Sequence, residues 1–140
     1  IDLGIAMQLT NIARDVIEDK KRNRKYINFD FLTIRKTITT ADNFYQSSFY
    51  SIKAIPLHSR FSVIVARRVY KKIGDYILKK NNFENYSKAG KIYVPLIGKI
   101  IETILSIGDF FKLLFVKNID YSNEHNHSII KEEIDLDERI

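Results

Sequence analysis

Residues 8–26 read QLTNIARDVIEDKKRNRKY. Within them Gln8, Asn11, Asp15 and Asp19 recur at steps of three, four and four, so an α-helix brings their oxygen-bearing side chains to one face. Leu3, Ile5, Ala6, Leu9, Ile12, Ala13, Val16 and Ile17 take most of the remaining circumference and predict a buried helix from Ile1 to about Arg22. Asp15 and Asp19 stand one turn apart, where like charges repel on a bare helix. Burying acidic and amide groups is costly unless they are paired or coordinate a metal. Arg14 and the run Lys20, Lys21, Arg22, Arg24, Lys25 offer part of the compensation. A hard divalent cation suits carboxylate and amide oxygens better, since Mg²⁺ is typically held by one or two carboxylates, waters and substrate phosphates. Asn11, Asp15 and Asp19 are therefore the candidate metal ligands, for Mg²⁺ or Mn²⁺, and the basic residues beyond the helix end are placed to grip phosphate oxygens. Taken alone, the pentapeptide DVIED reads as the acidic face of a solvated helix.

A longer, gapped pattern carries more than the pentapeptide. LGIAMQLTNIARDVIEDKKRNRKY resembles the second aspartate-rich motif of the squalene/phytoene synthase family, which runs roughly LGxAxQLTNIxRDVxEDxxRGRxYLP. Arg14, Glu18, Arg24 and Tyr26 fall on family positions. Asn23 stands where glycine is usual, Lys25 where an aliphatic residue is usual and Asn28 where proline is usual, all in the turn after the helix. The resemblance implies an all-α isoprenoid synthase (terpenoid synthase-like) fold, of which this chain supplies about four helices. It also implies a prenyltransferase of carotenoid biosynthesis that condenses two geranylgeranyl diphosphates head to head into phytoene through a cyclopropyl diphosphate. In that reaction Asn11 and the catalytic carboxylates Asp15 and Asp19 hold Mg²⁺ against a diphosphate leaving group. Arg14, Arg24 and Tyr26 orient the diphosphate, Gln8 sits beside it and Glu18 supports. Squalene, dehydrosqualene and hydroxysqualene-pathway synthases, which use farnesyl diphosphate, share the motif and are the nearest alternative. A non-catalytic scaffold or assembly factor on the same fold is the alternative of another class, and it has no need of buried Asp15 and Asp19.

The 140 residues allow one domain, and 45% hydrophobic with 29% charged residues is a globular composition. The absence of cysteine excludes disulfides and thiolate metal sites and fits a reducing compartment, so a cytoplasmic location, with membrane association as its variant, is expected. A net charge of +6 and a pI near 9.4 favour polyanions such as diphosphates, anionic membranes or nucleic acid. Nucleic acid is not the expected partner, because the basic run continues a motif that already accounts for it. The chain opens IDLGIA without an initiator Met, and the resemblance begins within these residues. It is therefore expected to be the C-terminal half of a longer synthase, inactive alone, with an earlier aspartate-rich motif on the other half. Residues 1–117 are expected to form that half-domain and 118–140 a polar tail.

Downstream, Asn23 to Thr40 reads as a connector, and Thr40 as the cap of a second helix, Ala41 to about Ala54, stopped by Pro56. ADNFYQSSFYSIKAIPLHSR resembles the family segment A..YY..a..gi..LP..sR. Its aromatic stripe is core spacing, and in this family such faces also line a dry pocket that stabilises a carbocation. A third helix spans Ser59 to Lys80, with Arg67, Arg68, Lys71 and Lys72 on a solvated side. Tyr70 aligns there with a family tyrosine that faces the substrate cavity. Asn81 and Asn82 break the helix, and NFENYSKAGKIYVP is similar to YDVFxRRAxV, whose arginines lie near substrate phosphate. Lys88 and Lys91 stand in their place, giving point charges rather than bidentate forks. Pro95 opens a fourth helix to about Val116, interrupted too often by Lys99, Glu102, Asp109 and Lys112 to span a membrane. It reads as a packing helix, with peripheral membrane contact as the sharper alternative. His58 reads as a surface residue, and His125 and His127 are too isolated for a metal site.

Overall fold

Apolar periodicity organises the whole of the described chain, residues 1–116 of a computed structural model. Five α-helices follow one another: α1 (Asp2–Lys21), α2 (Phe31–Ser51, continued by a 3-10 turn at Ile52–Ala54), α3 (Leu57–Leu78), α4 (Phe83–Lys88) and α5 (Leu96–Phe115). The described residues are all-α, as expected. The tail, with His125 and His127, lies outside the described residues.

α1 buries Ala6, Leu9, Ile12, Ala13 and Val16 against α2 and α3. It ends in a Schellman motif: the Asn23 amide donates to the Lys20 carbonyl at 3.1 Å and the Arg24 amide to the Asp19 carbonyl at 2.9 Å. Asn23 takes φ 56, the left-handed region that a glycine enters freely and asparagine tolerates best among other residues. That is the position where the family pattern carries glycine.

α2 begins ten residues earlier than the sequence suggests, at Phe31 rather than Ala41. Asp30 is its N-cap, accepting from the Thr33 amide at 2.7 Å and from the Thr33 hydroxyl at 2.7 Å. Ile34, Ile38, Ala41 and Tyr45 are then buried at helical spacing, and this packing keeps the β-branched stretch FLTIRKTITT helical against its own weak propensity. α4, which the sequence reading missed, is capped by Asn82, whose side chain accepts from the Asn85 amide at 2.8 Å.

Two apolar clusters hold α1. Ala13, Val16, Ile34, Ile38, Ile73 and Ile77 pack with Tyr86, Ile92 and Val94 from the segment after α3, and Ala6 and Leu9 pack with Ala41, Phe44 and Tyr45. A third cluster, Phe49, Ile52, Ile64 and Leu113, ties α5 to α2 and α3.

The basic side of α3 is solvated only at Lys71 and Lys72, which are about a third exposed. Arg67 is buried, donates to the Tyr45 carbonyl at 2.9 and 2.6 Å, and lies over the Phe49 ring. Arg68 donates to Glu102 at 2.9 Å and to Asp109 at 2.7 Å, and Lys72 stands 3.6 Å from Glu102. α5 therefore packs through its polar side, Glu102, Ser106 and Asp109 with Leu113, rather than through its apolar stripe as a packing helix would. Ile100, Ile101, Ile104, Leu105, Phe111 and Phe115 are left exposed.

Candidate active site

The polar side of α1 borders a pocket of about 410 Å³ whose other wall is the turn after α4. Arg14 and Asp15 face into it as a bidentate pair, Nε to Oδ1 and Nη2 to Oδ2, both at 2.8 Å. Their side chains are 14% and 19% exposed, so water screens them only partly. Burial pushes the Asp15 carboxyl up, but the hydrogen bonds and charge of Arg14, with Lys91 behind, hold it below the ordinary carboxylate range. The same hydrogen bonds raise Arg14.

Lys91 comes from the opposite wall. Its ammonium donates to Glu18 at 3.0 Å and stands 3.6 Å from Asp15. Glu18 also accepts from Arg22 at 2.7 Å. The hydrogen bond from Lys91, then its charge and that of Arg22, depress Glu18. Gly90, at φ 65, makes the turn that presents Lys91. The pocket thus alternates fixed cations (Arg14, Arg22, Lys91) with carboxylates (Asp15, Glu18).

The other candidates lie outside the lining of this pocket. Asn11, one turn before Asp15, is half-buried, and its Oδ1 is buried without a hydrogen-bond partner. An orphaned buried acceptor is uncommon and calls for a bound water, ligand or ion. Asp19 lies next door in a narrow crevice with Arg24 and Tyr26, which the Schellman turn folds back against it. Gln8 is exposed. Tyr70 packs half-buried between the first two clusters and interacts electrostatically with Arg14. Lys88 does not share the pocket: it is exposed and salt-bridged to Glu84 one turn back on α4. Of the two lysines in family arginine positions, Lys91 is the one that reaches α1. A tyrosine the sequence reading passed over, Tyr86, forms part of the pocket wall, and nothing in its own sequence context marks it.

Among the described residues no group of three or more acidic or histidine side chains gathers to hold a metal alone. The donors present, two carboxylates and an amide oxygen left free, are hard oxygens, and they fit an ion that completes its shell with phosphate and water. Arg14 and Lys91 occupy Asp15, one of the two carboxylates that such an ion would take, and an anion arriving with the ion would offer those cations a replacement partner.

Residues 1–33, which include the whole of α1 and its terminal turn, match the squalene/phytoene synthase family. The chain is 33% identical over 94 residues to a 15-cis-phytoene synthase of Enterobacter agglomerans, covering 52% of this chain and 32% of that protein. It is 34% identical over 121 residues to the 15-cis-phytoene synthase of a Paracoccus species, covering 69% of this chain and 40% of that one. The chain belongs to the squalene/phytoene synthase family. A plant member, phytoene synthase 1 of Solanum lycopersicum, is 32% identical over 120 residues, 71% of this chain and 28% of its own length. The chain therefore spans about a third of the length of the curated relatives it matches. No solved structure matches it.

Proposed function

We propose that this chain carries one diphosphate-binding half of a head-to-head prenyl synthase that converts geranylgeranyl diphosphate to phytoene. The observation that carries the reading is the pocket in which Arg14, Asp15, Glu18 and Lys91 interlock, one helical turn from the unpartnered Asn11 oxygen. The names of the relatives support phytoene as product. The squalene, dehydrosqualene and hydroxysqualene-pathway synthases, which use farnesyl diphosphate as substrate, are the second reading, because nothing lining this pocket measures prenyl length.

In this mechanism Arg14, Arg22 and Lys91 bind the diphosphate and set its orientation. Arg14 does so as a planar fork, since its two donors already span both oxygens of Asp15. Mg²⁺ held by Asn11, Asp15 and Asp19 would supply Lewis-acid neutralisation of the departing diphosphate. Asp15, kept ionised, is ready to coordinate at neutral pH. Arg24 and Tyr26, folded over Asp19, close the second side of the same leaving group. The buried aromatic residues Phe44 and Tyr45 of α2 pack against Ala6 and Leu9 of α1.

The test uses the gene product that contains this chain, supplied with geranylgeranyl or farnesyl diphosphate and Mg²⁺. Phytoene from the first, lost in Asp15→Asn and Asp19→Asn, is the expected result. Product only from farnesyl diphosphate establishes the squalene branch, and near-normal turnover in both variants contradicts the metal assignment.

Contact with an anionic membrane surface is a second part of the reading. Among the described residues no helix is long and apolar enough to cross a membrane. α5 nonetheless turns Leu96, Ile97, Ile100, Ile104, Phe111 and Phe115 outward, with Lys99 and Lys112 exposed beside them. An apolar helix face next to lysines fits an acyl boundary with anionic headgroups. Flotation with anionic but not neutral vesicles supports it. A concentration-dependent dimer without vesicle binding assigns the face to a second copy instead.

A further inference from the structure

Tyr86 is 2% exposed, and its ring packs among Ala13, Val16, Ile73 and Ile77. A buried phenol must find a partner. Its hydroxyl lies 2.8 Å from the Ala13 carbonyl and 2.8 Å from the Arg14 carbonyl, so its one proton is shared between two acceptors. Both carbonyls sit in the middle of α1, in the turn that carries Arg14 and Asp15. The phenol uses their second lone pairs, since a helix carbonyl accepts first from the amide four residues on. Burial pushes the Tyr86 hydroxyl well above its ordinary pKa, so it remains a donor.

The place of Tyr86 in the chain gives this bond its consequence. Tyr86 belongs to α4, and five residues later, past the left-handed turn at Gly90, the same segment presents Lys91 to Glu18 and Asp15. α4 itself has a single helical turn and a half, too short to hold a position alone. Its exposed Glu84–Lys88 pair fixes nothing on α1. The hydroxyl of Tyr86 is thus a buried polar tie between the two walls at the level of Asp15, beneath the more exposed contacts of Lys91 with Glu18 and Asp15.

We infer that Tyr86 is a positioning residue: its hydroxyl pins the Phe83–Val94 segment to α1 and thereby sets Lys91 over the Asp15–Glu18 carboxylates. The inference rests on the diphosphate reading only for its functional consequence. The positioning itself is testable without any ligand.

Tyr86→Phe keeps the ring and deletes the tie. Thr10→Val is the control: it removes another buried hydroxyl from α1, one that pairs with Tyr45 at 3.0 Å away from the pocket. The first readout is the rate of amine acylation at Lys91, followed by peptide mass spectrometry of the full chain. Lys91 labelling rises roughly threefold or more in Tyr86→Phe, as an ion-paired amine is freed, and does not change in Thr10→Val. Equal labelling in wild type and Tyr86→Phe, or an equal rise in the control, overturns the inference.

The second readout is affinity for inorganic pyrophosphate with Mg²⁺. Tyr86→Phe weakens it roughly tenfold, the low end for a residue that supports a charged site. Lys91→Gln weakens it at least as much, and the double variant is no weaker than Lys91→Gln alone, because Tyr86 acts through Lys91. Additive losses overturn the inference. Absence of pyrophosphate binding by the wild-type chain contradicts the proposed function instead, and leaves the labelling result to decide the positioning.

Discussion

α1 and α5 are both amphipathic helices of 20 residues, and they face the protein in opposite senses. α1 turns its apolar side inward and keeps Asn11, Arg14, Asp15 and Glu18 on a half-buried flank beside a pocket. α5 turns Glu102, Ser106 and Asp109 inward onto Arg68 and Lys72, and leaves its isoleucines and phenylalanines outside. The same periodicity therefore produces a binding flank in one helix and an apolar outer face in the other. What decides the sense is the partner: α3 meets α1 with Ile73 and Ile77, and meets α5 with Arg68 and Lys72 beside the apolar contact of Ile64 with Leu113.

Substitutions that strike the inward side of each helix sharpen this contrast most. Arg68→Ala strands the 6%-exposed Glu102 with only Lys72 nearby, and is expected to cost about 3 kcal/mol of unfolding free energy in urea. Arg68→Met with Glu102→Leu and Asp109→Asn, which removes the arginine and both carboxylate charges it serves, recovers most of that loss. Ile12→Ala on α1 opens a cavity in the core and costs about 2–3 kcal/mol. A loss below 0.5 kcal/mol in Arg68→Ala would break the account of α5 as a helix packed by its charges.

The outward sides respond differently. Asp15→Asn leaves the fold intact but weakens Mg²⁺-dependent pyrophosphate binding by about 2 kcal/mol, or roughly 30-fold, as expected for one charge-assisted ligand. Ile104→Asp on the exposed side of α5 changes stability by no more than about 0.5 kcal/mol yet abolishes flotation with anionic vesicles. A large stability loss at Ile104 would mean that the face is covered within the protein.

The smallest effect is a pH dependence. The folded Asp15 carboxyl lies below the ordinary 3.8, so its ion pair stabilises fully above that value. The contribution is lost as pH falls through the depressed folded value, because the unfolded state binds the proton first. The Arg14→Gln variant is expected to show a shallower acid limb in thermal unfolding below about pH 4.

Much of this was legible in the sequence because the signals were local. α1, α3 and α5 follow from periodicity, and the Asn81–Asn82 break and the end at Pro56 from turn chemistry. The start of α2 was not, because FLTIRKTITT is β-branched and only its packing through Ile34 and Ile38 makes it a helix. Spacing puts Asn11, Asp15 and Asp19 one turn apart along α1, but does not give the division of Asp15 and Asp19 between the pocket and the neighbouring crevice. Lys91 in preference to Lys88, the tie from Tyr86, and the inward charges of α5 depend on contacts between residues 34 to 73 positions apart, which no local pattern encodes.

The most direct test of the central claim, that the α1 flank is a metal–diphosphate site, is a calorimetric titration of the chain with pyrophosphate, with and without Mg²⁺, in wild type and Asp15→Asn. The account predicts binding that Mg²⁺ strengthens in wild type and that loses this strengthening in Asp15→Asn. Binding that ignores Mg²⁺, or that is unchanged by Asp15→Asn, would show a basic patch holding an anion and contradict the claim.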